Sequence, residues 1–248
     1  MISIKTDAEI ELLRISGKIL RNTLKELEKH IKAGVSTKQL NDIAHCYIVS
    51  NNATPSCLGF QGYPESICTS INDEVVHGIP SKHRILKDGD IISIDICVTY
   101  KGMVTDAART YLVGEVSPEI KQLVEVTKEC FFKGIENIKE GSRVGDIGAQ
   151  VYQHAKSYGY GVIRDLTGHG VGYSVHEDPC IPNFGTAGTG ARLYTNQVIA
   201  VEPMISLGNY KVDFCDDGWT CVTRDGKPAS HYENTIVITK NGVEILTE

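Results

Sequence analysis

Two aspartates in neighbouring β-rich runs could bind a metal ion together. The first lies in IISIDICVTY, residues 91–100, where alternation places apolar side chains on one face and Ser93, Asp95 and Cys97 on the other. An unpaired charge inside a buried strand would cost several kcal/mol. We therefore expect Asp95 to point away from the apolar layer and toward a partner.

The second aspartate follows a two-residue turn. Residues 101–102 are Lys-Gly, and the run MVTDAARTYLVG after them can fold back as the other strand of an antiparallel hairpin. In the register that pairs Cys97 with Asp106, the Asp106 side chain shares a face with Asp95 and lies diagonal to it. Two carboxylates converging in this way repel each other unless one is protonated or a cation lies between them. The alternative is that one of them is a surface residue at the hairpin end.

Three more candidate ligands interrupt apolar or glycine-rich runs. Glu202 lies in QVIAVEPMI, Glu233 lies in SHYENTIVIT, and His169 lies between two glycines in TGHGVGYSVHEDP. Each alone has an ordinary explanation, as the end of an edge strand or as a turn residue. With the two aspartates they form an oxygen-rich set of the kind that holds two divalent ions, about 3.5–4 Å apart, through bridging carboxylates. The lack of a thiolate in the set favours Mn, Fe, Co or Zn over a structural zinc centre.

Other kinds of chemistry are poorly represented in the chain. GHGVG is not followed by Gly-Lys-Ser/Thr, the G-x-G-x-x-G spacing is absent, and no G-x-S-x-G elbow marks a serine nucleophile. The net charge is −6 over 248 residues, with scattered basic residues, which argues against nucleic acid or an anionic membrane as the main partner. Eight cysteines without a C-x-x-C pair predict free thiols in a reducing compartment.

The elements that position these residues begin with two helices. Residues 6–9 and 36–39 both have the form of a capping box, and apolar residues at helical spacing follow each. The apolar stripe of the first helix extends to Ile31, and the second helix is expected to end near Asn51. The first twenty residues contain acids and no long apolar run, which predicts neither a signal peptide nor a membrane span, so a cytosolic location is expected.

Short β-rich runs occupy residues 53–115 and return after residue 160, with two further helices between them. Ser117-Pro118-Glu119 supplies an N-cap, a first-turn proline and a first-turn acid for one helix, and the next is expected over residues 143–157. Asn241-Gly242, between two alternating runs, predicts a hairpin near the C-terminus.

Helix, helix and sheet thus occur twice along the chain. The tetrad Ile-Lys-x-Gly also recurs, at residues 31–34 and 138–141. We interpret residues 1–248 as one α+β domain built of two related halves, roughly 1–115 and 116–248, that pack their sheets together.

Taken in order, the motifs resemble the type I methionine aminopeptidases in their short bacterial form. The resemblance is carried by SIDICV, TDAART, GHGVGYSVHEDP, AVEPM and YENTIVIT, and it extends through PSCLGFQGYPESICTSINDEVVHGIP and LKDGDIISIDI. It implies the pita-bread fold, an α+β architecture with two pseudo-symmetric halves around a curved antiparallel sheet and helices on the outer face.

The resemblance also implies a dinuclear metal site. One divalent ion would be held by Asp106, His169, Glu202 and Glu233, and the other by Asp95, Asp106 and Glu233, so that Asp106 and Glu233 bridge. A metal-bound water or hydroxide would attack the carbonyl of the first peptide bond, and Glu202 would carry its proton. Co, Mn, Fe and Zn all stay open as the ion.

Substrate contacts follow from the same resemblance. His77 and His176 would contact the substrate amide and stabilise the tetrahedral intermediate. A pocket suited to a thioether side chain would be lined by Cys57, Phe60, Tyr63, Cys68, His77 and Trp219. Three residues depart from the family pattern: Phe60 stands where Tyr is usual, Val175 where Phe is frequent, and Asn234 where His is common. Val175 is expected to widen or soften one wall of the pocket.

The activity implied is removal of the N-terminal methionine from nascent proteins and peptides with a small second residue. The enzyme would be a cytoplasmic monomer that associates transiently with the ribosome. Aminopeptidase P and prolidase, proline-specific relatives of the same fold, are the nearest alternative, although they usually carry an additional N-terminal domain. The type II methionine aminopeptidases carry a long insertion for which the run from His176 to Glu202 is too short. A non-catalytic scaffold of this fold is a further alternative, which the retained candidate ligands oppose.

Overall fold

A computed structural model describes residues 2–248, which form four α-helices and fifteen β-strands. The helices are α1 (Asp7–Glu28), α2 (Thr37–Ser50), α3 (Pro118–Ile135) and α4 (Val144–Ser157). The strands of the first part are β1 (Thr54–Pro55), β2 (Cys68–Ile71), β3 (Glu74–Val76), β4 (Ile91–Tyr100) and β5 (Met103–Leu112). The remaining strands are β6 (Gly161–Val162), β7 (Gly168–Gly170), β8 (Glu177–Ile181), β9 (Val198–Val201), β10 (Met204–Ser206), β11 (Val212–Phe214), β12 (Cys221–Thr223), β13 (Ala229–His231), β14 (Asn234–Ile238) and β15 (Val243–Ile245). Over these residues, no helix has the length and apolarity needed to cross a membrane.

The helix starts are those that the sequence predicts. Thr6 begins α1 with a reciprocal capping box, in which the Thr6 N–H donates to the Glu9 carboxylate at 2.7 Å, and Ser36 begins α2 in the same way. Ser117 caps α3. The first helix is shorter than its apolar stripe suggests, because α1 ends at Glu28. Ile31 packs against the core from the loop that follows.

The strand pairs are antiparallel and form four sheets in the described chain. The first sheet has β4 at its centre, with β1 and β2 on one side and β5 on the other. A second sheet has the order β15-β14-β9-β7-β8, and a third has the order β13-β10-β6. In the fourth, β3 from the first part of the chain pairs with β12 from the second part, which joins the two. The predicted hairpin at Asn241-Gly242 forms between β14 and β15 and is confirmed.

Each helix pair covers one face of a sheet. Leu20 and Leu24 of α1 pack with Leu40 of α2 against the isoleucines of β4. In the second part, Phe131 of α3 and Val151 of α4 pack against β9 and β14. The opposite faces of β4, β5, β9 and β14 are thus left for other side chains.

A largely buried ion pair fixes the N-terminal segment to the first residue of β8. The Lys5 side chain is 0% exposed, and its Nζ lies 2.8 Å from Glu177 Oε2 and 4.0 Å from the centre of the Tyr173 ring. Glu177 also accepts hydrogen bonds from the N–H groups of Tyr173 at 2.5 Å and Ser174 at 3.1 Å. The pair therefore braces the segment that contains His176.

Lys5→Met is expected to destabilise the protein, because it leaves the Glu177 carboxylate without its buried cation. Breaking such a pair from one side costs roughly 3–5 kcal/mol. Since the backbone donors to Glu177 remain, the loss in the free energy of unfolding measured with urea should be about 3 kcal/mol. Lys18→Met, on the exposed face of α1, is the control and should change the free energy of unfolding by less than about 0.5 kcal/mol. Equal stability of the two variants would contradict this role of Lys5.

Candidate active site

The β4–β5 hairpin has the register that the sequence predicts. Cys97 pairs with Asp106, and Asp95 pairs with Ala108 on β5 and with Cys68 on β2. The small neighbours leave room beside the carboxylate of Asp95, and a carboxyl oxygen of Asp95 lies within 4.8 Å of one of Asp106. Both aspartates therefore project from one face of the sheet, opposite the isoleucines that contact the helices.

Three side chains from the second sheet join the two aspartates. His169 lies on β7, Glu202 directly follows β9, and Glu233 directly precedes β14. These strands are neighbours, with β9 between β7 and β14. The His169 Nε2 atom lies 3.5 Å from Glu202 Oε1 and 3.8 Å from Asp106 Oδ2. The structure thus brings together all five side chains that the sequence suggests as metal ligands.

Hydrogen bonds between the two sheets hold this arrangement. The Asp106 N–H donates to Thr235 Oγ1, and the Thr235 hydroxyl donates back to the Asp106 carbonyl, both at 2.8 Å. The Glu233 N–H donates to the Ala108 carbonyl at 3.0 Å. The Asn234 side chain, where the family commonly has His, accepts a hydrogen bond from Arg109 at 2.7 Å. Asn234 therefore helps to anchor Arg109.

Burial makes the anionic form of these acids costly. Asp106 is 4% exposed and Glu233 is 2% exposed. Burial raises the pKa of Asp106 and of Glu202 to about 8. Burial, followed by repulsion from Asp106, also raises the pKa of Asp95 and of Glu233 well above the usual range. Burial lowers the pKa of His169 to about 3, so its imidazole is neutral.

The donor set fits a divalent metal. The Oδ1 atoms of Asp95 and Asp106 and the Oε1 atom of Glu233 are buried and have no hydrogen-bond partner among residues 2–248. Asp106 belongs to two groups of ligand atoms that each lie within 4.8 Å of one another, one with Asp95 and Cys97 and one with His169 and Glu233. Carboxylate oxygens and a neutral imidazole nitrogen are ordinary ligands of divalent ions, and a cation would relieve the repulsion among the acids.

The two histidines predicted to be catalytic lie in different parts of the site, His176 beside His169 and His77 beside Trp219. The His176 ring centre is 4.3 Å from that of His169 and 5.2 Å from that of Phe60. His77 lies 6.3 Å from Trp219 between ring centres, and its φ of 61° is uncommon for a non-glycine residue. Burial lowers the pKa of His77 to about 4, and it also lowers that of His176. Both rings are therefore neutral near pH 7.

The predicted pocket residues form one apolar cluster next to the acids. Tyr63 packs edge-on against Trp219 at 5.0 Å between ring centres, and its hydroxyl donates to the Gly78 carbonyl at 3.0 Å. Val175 is 9% exposed and belongs to the same cluster. The other members from the predicted pocket are Cys57, Phe60 and Cys68. The departure at Val175 therefore lies where it can shape the pocket.

Two residues in the site were not predicted as functional. His231 is 1% exposed, its ring nitrogens have no hydrogen-bond partner in the described chain, and its Nε2 lies 3.6 Å from Glu202 Oε2. The Cys97 Sγ atom lies 3.0 Å from Asp106 Oδ2. Each stands two positions from a candidate ligand, Cys97 after Asp95 and His231 before Glu233. Period-two spacing was the signal that could have indicated them.

Comparisons with known proteins find similar chains among the metallopeptidases. The sequence profile of metallopeptidase family M24 matches residues 11–240. The methionine aminopeptidase of Clostridium acetobutylicum is 51% identical over 247 residues, which cover 100% of this chain and 99% of that protein. A crystal structure of methionine aminopeptidase from Rickettsia prowazekii has a TM-score of 0.98 at 43% identity and covers 100% of both chains. The expected pita-bread fold is confirmed.

The proline-specific alternative is the weaker match. The Xaa-Pro dipeptidase from Bacillus anthracis has a TM-score of 0.79 at 25% identity, and the alignment covers 99% of this chain and 62% of that chain. The likeness to methionine aminopeptidases is therefore closer in both sequence and structure.

The metal-free protein is expected to lose stability as pH rises from about 6.5 to about 8.5. Because Asp106 and Glu202 have raised pKa values, the folded protein keeps protons there that the unfolded chain has released, so stability falls with rising pH. The buried histidines have lowered pKa values and act in the opposite direction only below about pH 6.5.

The melting temperature of chelator-treated protein across this range checks this expectation. Asp106→Asn removes one titrating group, so the melting temperature of this variant should fall less steeply with rising pH. Asp216→Asn, at an exposed position, should leave the slope unchanged. A melting temperature that does not fall between about pH 6.5 and about pH 8.5 would show that the buried acids are already ionised.

Proposed function

Because the chain belongs to metallopeptidase family M24, we propose that its buried acidic cluster binds divalent metal and that the cleft beside it binds an N-terminal methionine. The chain acts as a metal-dependent aminopeptidase that removes the N-terminal methionine from nascent proteins and peptides. The observation that carries the site assignment is the convergence of buried, unpartnered carboxylate oxygens from two sheets. The proposed ligands are Asp95, Asp106, His169, Glu202 and Glu233.

We propose two metal positions that share ligands. One would be held by Asp106, His169, Glu202 and Glu233, and the other by Asp95, Asp106 and Glu233. The membership of Asp106 in both groups of close ligand atoms supports its bridging role. Divalent ions supply Lewis acidity and make water a nucleophile near neutral pH. The donor types suit Co, Mn, Fe or Zn.

Glu202 is the residue proposed to carry the proton during hydrolysis. Its carboxyl oxygens lie 3.5 Å from His169 Nε2 and 3.6 Å from His231 Nε2. A divalent ion bound beside Glu202 would favour its carboxylate form, which is the form that can accept a proton. The group can therefore take a proton from water and return it to the departing amine.

His77 and His176 are proposed to contact the peptide bond that is cleaved. Both are neutral imidazoles, so each can donate an N–H hydrogen bond to the carbonyl oxygen or to the substrate amide region. Donors that are already oriented stabilise the oxygen as it gains charge in the transition state. The contact of His176 with Phe60, and that of His77 with Trp219, connects these rings to the methionine pocket.

The proposed methionine pocket combines aromatic edges with thiols. A flexible thioether packs well on such surfaces, because its sulfur is polarisable. The pocket residues are Cys57, Phe60, Tyr63, Cys68, His77 and Trp219. Preference for a small second residue is part of the proposal.

We also propose the cellular setting. The protein would act in the cytoplasm as a monomer that meets nascent chains through transient ribosome association. The free cysteines in the described chain suit a reducing compartment.

Division of the single domain into halves near residue 115 is supported by the helix pair and sheet on each side of that position.

The proposed substrate specificity is tested with peptides and added Co or Mn. The protein should release methionine from Met-Ala-Ser and leave Met-Leu peptides largely intact. Asp106→Asn should lower both bound metal and activity by more than about 100-fold. Loss of a residue that only hydrogen-bonds to a metal ligand costs up to about 100-fold, and loss of a bridging ligand should cost more. Asp216→Asn is the matched control. Preference for an Xaa-Pro peptide would reject the substrate assignment, and normal turnover by Asp106→Asn would reject the bridging role.

Val175→Phe should narrow the proposed methionine pocket, because the larger side chain would extend from one of its walls. We expect the ratio of kcat/KM for Met-Ala-Ser to that for Phe-Ala-Ser to rise by about tenfold, the usual effect of small changes in apolar pocket size. Val49→Phe, where Val49 is 50% exposed on α2, should leave the ratio unchanged. If both variants have the same ratio, Val175 does not line the pocket.

A further inference from the structure

Cys97 lies inside the acidic cluster, although the proposed ligand set does not include it. Its Sγ atom is 3.0 Å from Asp106 Oδ2, and the residue is 5% exposed. The Sγ atom also belongs to a group in which the ligand atoms of Asp95, Cys97 and Asp106 all lie within 4.8 Å of one another. The buried thiol of Cys97, the buried carboxyl group of Asp106 and the half-buried side chain of Asp95 therefore share one small space.

The backbone explains why the thiol is there. Asp95 and Cys97 are two positions apart on β4, so their side chains share a face, and Asp106 is the cross-strand partner of Cys97. The Oδ1 atoms of both aspartates are buried and lack a hydrogen-bond partner in residues 2–248. Unpartnered oxygens beside a thiol point to a cation that all three side chains contact.

We propose that Cys97 binds, as a thiolate, the divalent ion that Asp95 and Asp106 hold. This inference rests on the proposed function. On binding, the S–H bond breaks, the sulfur electron pair forms the bond to the metal, and the proton leaves to solvent. Zinc–sulfur and zinc–oxygen bonds are about 2.3 Å and about 2.1 Å long, so the Cys97 Sγ and Asp106 Oδ2 atoms, which lie 3.0 Å apart, can both reach one ion.

Two other cysteines, Cys57 and Cys68, belong to the same apolar cluster as Cys97. In the described chain, neither Cys57 nor Cys68 joins a group of close ligand atoms with the carboxylates. Cys97 is therefore the thiol that the geometry selects.

A thiolate ligand would change the metal preference of this position. Sulfur is a soft ligand that favours Zn, Co or Fe over Mn, whereas an all-oxygen set suits Mn. Cys97→Ser should therefore lower zinc affinity more than manganese affinity, which changes the ratio of the two dissociation constants.

X-ray absorption at the zinc edge of the intact, zinc-loaded protein tests the proposal. We expect a sulfur scatterer at about 2.3 Å from zinc. Cys97→Ser, or Cys97→Val as a second variant, should lose that scatterer and still bind zinc through the remaining ligands. Cys68→Ser and Cys57→Ser should keep it. With cobalt, the wild-type protein should show the near-ultraviolet charge-transfer band of a cobalt–thiolate bond.

Each outcome decides the question. Zinc bound only by nitrogen and oxygen in an active wild-type protein would overturn the inference and leave the proposed function intact, with Cys97 a hydrogen-bond donor to Asp106. A sulfur signal that survives Cys97→Ser but disappears in Cys57→Ser or Cys68→Ser would overturn the assignment to Cys97. A wild-type protein that releases methionine without binding metal would overturn the proposed function and, with it, this inference.

Discussion

The carboxyl groups of Asp95, Asp106 and Glu233 converge on one space, where burial, followed by repulsion from Asp106, raises the pKa values of Asp95 and Glu233. Such a cluster is unfavourable without a cation, because each buried anion loses hydration and repels its neighbours. The rest of the structure must therefore hold these groups in place against their mutual repulsion. That local cost is what one expects of a binding site rather than of a core built only for stability.

The sheet that contains β4 and β5 and the sheet that contains β9 and β14 hold the acids in place through backbone pairing and hydrogen bonds between the sheets. Reciprocal bonds join Asp106 to Thr235, and the Glu233 N–H binds the Ala108 carbonyl, so ligands from both parts of the chain are fixed relative to one another. The apolar faces of the same strands are covered by the helix pairs. One face of each central strand thus provides stability, while the other positions ionisable groups.

Much of this arrangement could be predicted from the sequence because it is local. Alternation along β4 and the short turn after it determine that Asp95 and Asp106 share a face, and the capping residues determine where α1, α2 and α3 begin. Contacts between distant segments could not be predicted in the same way. The Lys5–Glu177 pair and the pairing of β3 with β12 depend on how the whole chain packs. Period-two spacing marks Cys97 and His231 as neighbours of candidate ligands, but their distances to Asp106 and Glu202 depend on how the strands pack.

Anomalous scattering from crystals of the metal-loaded protein, recorded at the absorption edge of the bound metal, tests the central proposal most directly. The proposal predicts two peaks between the β4–β5 hairpin and the β7, β9 and β14 strands, with Asp106 and Glu233 in contact with both. Active protein whose anomalous peaks lie elsewhere, or whose acidic cluster holds no metal, would contradict it.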